Sequence, residues 1–418
     1  MVQFQCKGLL LFFLFVAISQ IMLFAQQNNS DPLNKTPTLI ESSELILVWS
    51  ERLSDGSGYK FGQKIYDYND ANPNPPNQLI TGIRGDEQGA TNNSQVAVTT
   101  GDFNGDGKTD FVSAYVNTQN KIRMVIPQIN PQNFGWTQVS STLSQGTINS
   151  TNEFFRRMRL VAGNFDDDPQ HEFALAYIDN TNKVRIEIYD TDGTLSPVYR
   201  GGINDETSHS TLTRFNITTA DFNGDGKSEI IISGVDPAGG GTNSWGIFIK
   251  VYEVTGTGSF TLIPKAKQVI FSQPQFNVST LNLSLAAGDF NNDIKTDIAF
   301  AFSFFTQSLG ENDSYLYLLE VSENLNTITF NNSRRVARNS VGQNQMAKND
   351  LVAGDLDGNG KDEIFWGIEG NVYVYEPDTS MIPVYRTEIG GLFTGDSDNQ
   401  LTNNYLGILD VDRDFKDD

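Results

Sequence analysis

Short apolar runs recur along the chain from residue 95 onward: Phe111–Val116, Phe173–Ile178, Ile230–Val235, Ile298–Phe302 and Ile364–Ile368. They are rich in β-branched and aromatic residues and bounded by turn residues, so they predict strands. A further set of apolar runs follows them: Lys121–Ile126, Lys183–Tyr189, Gly246–Tyr252, Tyr315–Leu319 and Val372–Tyr375. In the first unit, Gln95–Thr100 leads in and Trp136–Ser140 closes, giving about four strands per unit. Each run of the first set is preceded by a polar, acidic segment of nine residues, and that segment sets the period of the whole chain.

The segment occurs six times, starting at residues 102, 164, 221, 289, 355 and 410, with steps of 62, 57, 68, 66 and 55 residues. Positions 1, 3, 5 and 9 are Asp102, Asn104, Asp106 and Asp110 in the first copy, and Asn164, Asp166, Asp168 and Glu172 in the second. The third has Asp221, Asn223, Asp225 and Glu229, and the fourth Asp289, Asn291, Asp293 and Asp297. The fifth has Asp355, Asp357, Asn359 and Glu363, and the sixth Asp410, Asp412, Asp414 and Asp418. Position 7 is Lys108, Gln170, Lys227, Lys295, Lys361 or Lys416.

Oxygen donors at alternate positions of a tight turn suit a hard divalent cation. Calcium takes six to eight oxygens at roughly 2.3–2.6 Å in forgiving geometry. Side chains at positions 1, 3, 5 and 9 supply most of that shell. Position 7 offers only its main-chain carbonyl, with the lysine ammonium turned to water. Glycines at positions 4 and 6, such as Gly105 and Gly107, permit the positive φ of such a turn. The competing EF-hand loop needs a bidentate glutamate at position 12. That position holds Ser113, Leu175, Ile232, Phe300 or Trp366 here, so the match fails. Empty acidic hairpins would leave the invariant acid at position 9 without a reason.

Four-stranded units arrayed radially are the blades of a β-propeller. A linear solenoid fits less well, since its repeats are usually shorter than about 50 residues. The expected fold is all-β: a propeller of about seven blades, with calcium loops joining the first two strands of each.

A small residue precedes the motif at Gly101, Gly163, Ala220, Gly288 and Gly354, replaced by Leu409 in the sixth copy. Small residue, Asp, Phe, Asn or Asp, Gly, Asp, Gly, two further residues and an acid, then an apolar strand, resembles the FG-GAP or VCBS-type repeats of integrin-α-like propellers. The resemblance covers roughly residues 95–418 and lacks the Gly-Ala-Pro half of the eukaryotic signature. It implies structural calcium on one rim and ligands bound on the faces or inter-blade loops. Asn164 departs at position 1, and Ile294 and Phe415 replace a loop glycine, which makes these copies the weaker candidate sites.

Residues 1–25 read as a signal peptide, with Lys7 ahead of an apolar run from Leu9 to Phe24 and Ala25 before the cut. Residues 26–41 read as a polar linker, and 42–418 as the propeller. Glu44–Trp49 and Tyr59–Tyr68 are strand candidates with no acidic loop, expected as outer strands of the closing blade. Asp418 is the ninth residue of the sixth loop, so the chain is expected to be part of a longer protein. Cys6, the one cysteine, lies in the signal, which leaves an exported domain stabilised by metal rather than disulfides. The sequons Asn149-Ser-Thr151 and Asn216-Ile-Thr218 matter only in a glycosylating source.

Net charge is −22, and the six loops contain 22 acidic residues, so the acidity belongs to the metal sites. Nucleic acid and anionic membrane are excluded as partners on that charge, and no membrane insertion is expected after signal cleavage.

Enzymatic signals are weak. His171 lies inside the second loop and His209 in a polar segment, both read as solvated. Gly239–Gly241 lacks the lysine of a phosphate loop. Of Trp49, Trp136, Trp245 and Trp366, only Trp136 is kept as a sugar-stacking candidate. Arg84-Gly-Asp86 is read as chance. The expectation is a secreted, non-catalytic, calcium-stabilised module that binds an extracellular glycan or protein. The alternative is the non-catalytic front of a larger exported enzyme or toxin-like protein.

Overall fold

The structure, a computed structural model, describes residues 18–26, 43–52, 59–68, 79–82 and 96–389, the last stretch with short gaps at 108, 130–135, 150–157, 167, 206–213, 238–244, 274–280, 307–310, 342–348, 356–358 and 369–370. Side chains are described from residue 96. Among the described residues every regular element is a strand, and no helix is long and apolar enough to cross a membrane.

The N-terminal sheet contains β1 (Ile18–Gln26), β2 (Ser43–Arg52), β3 (Tyr59–Tyr68) and β4 (Leu79–Gly82). Five further sheets follow. Blade 1 is β5 (Val96–Gly101), β6 (Asp110–Val116), β7 (Ile122–Ile129) and β8 (Trp136–Leu143). Blade 2 is β9 (Met158–Gly163), β10 (Glu172–Ile178), β11 (Val184–Asp190) and β12 (Val198–Asp205). Blade 3 is β13 (Phe215–Ala220), β14 (Glu229–Pro237), β15 (Trp245–Thr255) and β16 (Thr261–Gln273). Blade 4 is β17 (Asn282–Gly288), β18 (Asp297–Thr306), β19 (Glu311–Val321) and β20 (Ile328–Val341). Blade 5 is β21 (Asn349–Gly354), β22 (Glu363–Ile368), β23 (Asn371–Pro377) and β24 (Pro383–Ile389). All six sheets are antiparallel meanders in sequence order.

First strands lie beside first strands, β5 to β9 to β13 to β17 to β21, and β1 and β2 abut β5. This side-by-side order of meander sheets is the packing of propeller blades. Strand β10 shows why the apolar runs do not alternate. Phe173, Leu175 and Tyr177 enter the core shared with blade 1, while Ala174, Ala176 and Ile178 enter the core shared with blade 3. Both faces are covered, so successive residues are all buried. Strand β18 divides in the same way: Ile298, Phe300, Phe302 and Phe304 face blade 3, and Ala299 and Ala301 face blade 5.

The expected strands at 44–49 and 59–68 are β2 and β3, here completed to four strands. Residues 18–25, assigned above to the signal peptide, run with Gln26 into β1, which pairs with β2. The sixth loop lies outside the described residues, whereas β2 and β3, expected as outer strands of a closing blade, lie in the N-terminal sheet, whose β1 and β2 abut β5. Both sequons sit in inter-blade contacts. Asn149 Nδ2 donates to Asn182 Oδ1. Asn216 Nδ2 donates to Leu283 O at 3.0 Å. Both side chains are buried, so a glycan on either would have to displace these contacts.

Candidate metal centre

Each nine-residue segment is the hairpin loop between the first and second strands of its blade. The ladder sets its frame: position 9 pairs with the small residue before position 1, as Asp110 with Gly101, Glu172 with Gly163, Glu229 with Ala220, Asp297 with Gly288 and Glu363 with Gly354. The position-2 phenylalanines Phe103, Phe165, Phe222 and Phe290 are buried and anchor the loop to the blade. The backbone N–H of Phe165 and of Phe222 donates to the position-9 carboxylate below it, to Glu172 Oε2 at 2.7 Å and Glu229 Oε2 at 2.9 Å.

The chain winds around the position-1 carboxylate. Asp102 accepts Asp106 N–H on Oδ1 (3.1 Å) and Gly107 N–H on Oδ2 (2.8 Å). Asp221 does the same with Asp225 (3.2 Å) and Gly226 (2.8 Å). Asp289 does so with Asp293 (3.2 Å) and Ile294 (2.8 Å), and Asp355 with Asn359 (2.9 Å) and Gly360 (2.7 Å). The second loop breaks this rule at both ends. Asn164 has no second carboxylate oxygen, and Pro169 at position 6 has no N–H to give it. Its missing aspartate is therefore matched by a missing donor, and the turn still forms, with Asp168 N–H on Asp166 Oδ1 at 3.3 Å.

The fourth loop keeps its geometry without glycine. Asn292 and Ile294 adopt φ of 61° and 71°, the left-handed values that Gly224 and Gly226 adopt in the third. Ile294 is 95 % exposed, so its side chain gains nothing from packing. A β-branched residue held there costs about 1–2 kcal/mol. Ile294→Gly is expected to raise stability by about 1 kcal/mol after the added freedom of the unfolded glycine is counted, read as a shift in denaturant midpoint at constant slope.

Position 9 is where the electrostatics concentrate. Glu172 and Asp297 are 0 % and 3 % exposed. Burial, with the neighbouring loop aspartates adding to it, pushes both up to about 8. The same causes push Asp110 and Glu229 up to about 7. Asp110 Oδ2, Glu172 Oε1 and Asp297 Oδ2 are buried with no hydrogen-bond partner among the described residues. In the third loop the space is bridged instead: Asn223 Nδ2 donates to both Glu229 Oε1 and Asp225 Oδ2 at 3.1 Å. In the second, one oxygen each of Asp166, Asp168 and Glu172 lie within 4.8 Å of one another.

Thus the structure brings together Asp102, Asn104, Asp106 and Asp110; Asn164, Asp166, Asp168, Gln170 and Glu172; Asp221, Asn223, Asp225, Lys227 and Glu229; Asp289, Asn291, Asp293, Lys295 and Asp297; and Asp355, Asn359, Lys361 and Glu363, each set in one loop. Lys108, Asp357 and the set Asp410, Asp412, Asp414, Lys416 and Asp418 lie outside the described residues, as do Arg84–Asp86, His209 and Gly239–Gly241.

Two expectations are corrected. The Lys361 ammonium does not face water: it donates to Glu376 Oε1 (2.8 Å) and Pro377 O (2.7 Å), closing the loop against β23. His171 is half-buried rather than a free loop histidine: its backbone N–H donates to Asp102 O of the preceding loop, and its Nδ1 accepts Asp102 N–H. Trp366 is fully buried between blades 4 and 5, in keeping with packing.

A further acid was missed. Asp190, Glu253, Glu320 and Glu376 each follow the residue paired with position 10. Three of these acids meet a cation from the last strand of their blade: Arg200 at 3.3 Å, Lys265 at 2.8 Å, and Arg386. The recurring pairs Tyr189-Asp190, Tyr252-Glu253 and Tyr375-Glu376 were the available signal, hidden inside strands that read as apolar.

No protein-family model matches the chain, and no curated protein matches it in sequence. Solved structures similar to it include the GH93 α-L-arabinofuranosidase of Fusarium graminearum in complex with arabinobiose, at 9 % identity and TM-score 0.43, covering 76 % of this chain and 84 % of that one. The WD40 domain of SCAP from fission yeast matches at 10 % identity and TM-score 0.36, covering 83 % and 80 %. Aspergillus kawachii β-fructofuranosidase complexed with glycerol matches at 11 % identity and TM-score 0.31, covering 82 % and 77 %.

Proposed function

We propose that this chain is a secreted, calcium-binding β-propeller of the FG-GAP or VCBS type, acting outside the cell as a non-catalytic binding or adhesion module for a glycan or protein. Its carrying observation is the buried position-9 carboxylate oxygen left without a protein partner in Asp110, Glu172 and Asp297. A desolvated carboxylate beside two more acids is costly unless a cation compensates it. The donor set is all oxygen, as calcium prefers. Side chains at positions 1, 3, 5 and 9 and the carbonyl at position 7 would hold the ion. In the third loop, the Asn223 amide hydrogens stand between two carboxylates as a weak stand-in for that charge.

A calcium ion there serves as a staple. It would fix each loop against Phe103, Phe165, Phe222 or Phe290 and hold the rim rigid for a partner. Calorimetric titration of the full chain with calcium is expected to show several sites in the micromolar-to-millimolar range. A glycan array probed with and without chelator is then expected to give calcium-dependent spots. No heat of binding rules out the metal reading, and calcium-independent recognition of a sugar detaches the partner from the loops.

A further inference from the structure

Three of the four pairs of consecutive described loops touch at one repeated point. The backbone N–H at position 8 donates to the position-1 carbonyl of the preceding loop: His171 to Asp102 at 2.7 Å, Ser228 to Asn164 at 2.6 Å and Asp362 to Asp289 at 2.9 Å. Two position-8 side chains also accept the position-1 N–H. Asp102 N–H reaches His171 Nδ1 at 3.3 Å, and Asp289 N–H reaches Asp362 Oδ2 at 2.8 Å. The glycine before position 1 leaves room for this contact. A Cβ on Gly163 would lie 2.7 Å from Ser228 Cβ, and one on Gly288 would lie 2.5 Å from Asp362 Oδ2. The turns between third and fourth strands add to the seam. Thr191 Oγ1 of blade 2 donates to Phe103 O of the first loop.

We infer that calcium sites in adjacent blades are coupled, with position 8 acting as a positioning residue for the site in the blade before it. The inference rests on the calcium reading proposed above. Position 8 lies between positions 7 and 9 of its own loop, both proposed ligands, so an ion bound there fixes its backbone. That backbone holds position 1 of the preceding loop, the residue around whose carboxylate the turn is wound. Binding in one loop therefore orders the next, and linkage makes the effect reciprocal. The small residue of the motif is a mark of this contact rather than of the loop that contains it.

Asp362 gives the test, because it belongs to the fifth loop but serves the fourth. Calcium titrations of the full chain are compared with Asp362→Ala, Asp362→Asn, Asp297→Asn and the Asp297→Asn/Asp362→Ala double variant. Asp362→Ala is expected to weaken one class of sites roughly fivefold, the loss of a single hydrogen bond. Asp362→Asn keeps an oxygen for Asp289 N–H and is expected to bind as the wild type does. In the Asp297→Asn background the fourth site is gone, and adding Asp362→Ala is expected to change nothing more. Equal weakening in both backgrounds overturns the coupling, as does weakening by Asn equal to that by Ala, or no weakening at all. Absence of calcium binding by the wild type removes the metal reading and the coupling together, and is distinguishable from all of these.

Discussion

Chelating calcium is expected to lower the melting temperature of the chain by about 10 °C. At dissociation constants of ~0.1 mM and external calcium of ~1–2 mM, each occupied loop contributes roughly 1.5 kcal/mol. Five loops fall wholly or mostly within the described residues, giving on the order of 7 kcal/mol. A domain of this size shifts by somewhat under 2 °C per kcal/mol. The stabilisation is spread over the seams between blades, because three of the four pairs of consecutive described loops are tied together by position 8. The loss on chelation is therefore expected to appear as one broadened transition rather than the melting of a single blade. Scanning calorimetry with calcium and with chelator checks this. An unchanged transition would show that the loops hold themselves without metal.

The second large effect is a reversed pH dependence. Asp110, Glu172, Glu229 and Asp297 are all pushed up, to between about 7 and about 8, from ordinary carboxylate values near 4. A raised carboxyl favours the protonated fold. Its stability is fully present below the unfolded value near 4 and is lost as pH climbs through the folded values. The calcium-free protein is thus expected to lose on the order of several kcal/mol between pH 5 and 8. Calcium demands the ionised carboxylates, so its affinity rises over the same interval, with proton release on binding that fades above pH 8. Melts of the chelated chain from pH 5 to 9, with calcium titrations in two buffers of different ionisation enthalpy, read both. A chelated protein whose stability rises across that range would contradict the raised values at position 9.

Much of the fold was legible because it is written six times. The period of the acidic segments set the unit, and the β-branched runs after them set the strand type. The all-oxygen donor set at positions 1, 3, 5 and 9 was equally legible, since the chemistry of a hard cation leaves few other reasons for that spacing. Departures from the reading came where the folded backbone, or a partner far along the chain, sets a residue's surroundings. His171 looked like a solvated loop histidine because nothing near it in the chain shows that Asp102, 69 residues earlier, is its neighbour. Asn164 departed from the motif at position 1, and the folded turn adds that Pro169 at position 6 has no N–H for a second carboxylate oxygen to accept. Ile294 looked like a broken turn, yet the hairpin register imposes the left-handed backbone whatever the residue pays for it.

The sequence by itself determined the repeat, the strand class, the loop donors and the concentration of negative charge, because each depends on residues within a few positions of one another. Only the tertiary structure decided that one carboxylate oxygen of Asp110, Glu172 and Asp297 is buried with no hydrogen-bond partner among the described residues. It also decided that Asp190, Glu253 and Glu376 are met by cations from the last strand of the same blade, and that Gly101, Gly163 and Gly288 make room for the neighbouring blade. Those facts depend on how sheets stack and which strands close them. Desolvation and long-range hydrogen bonds exist only once distant segments have been brought within a few ångströms of each other.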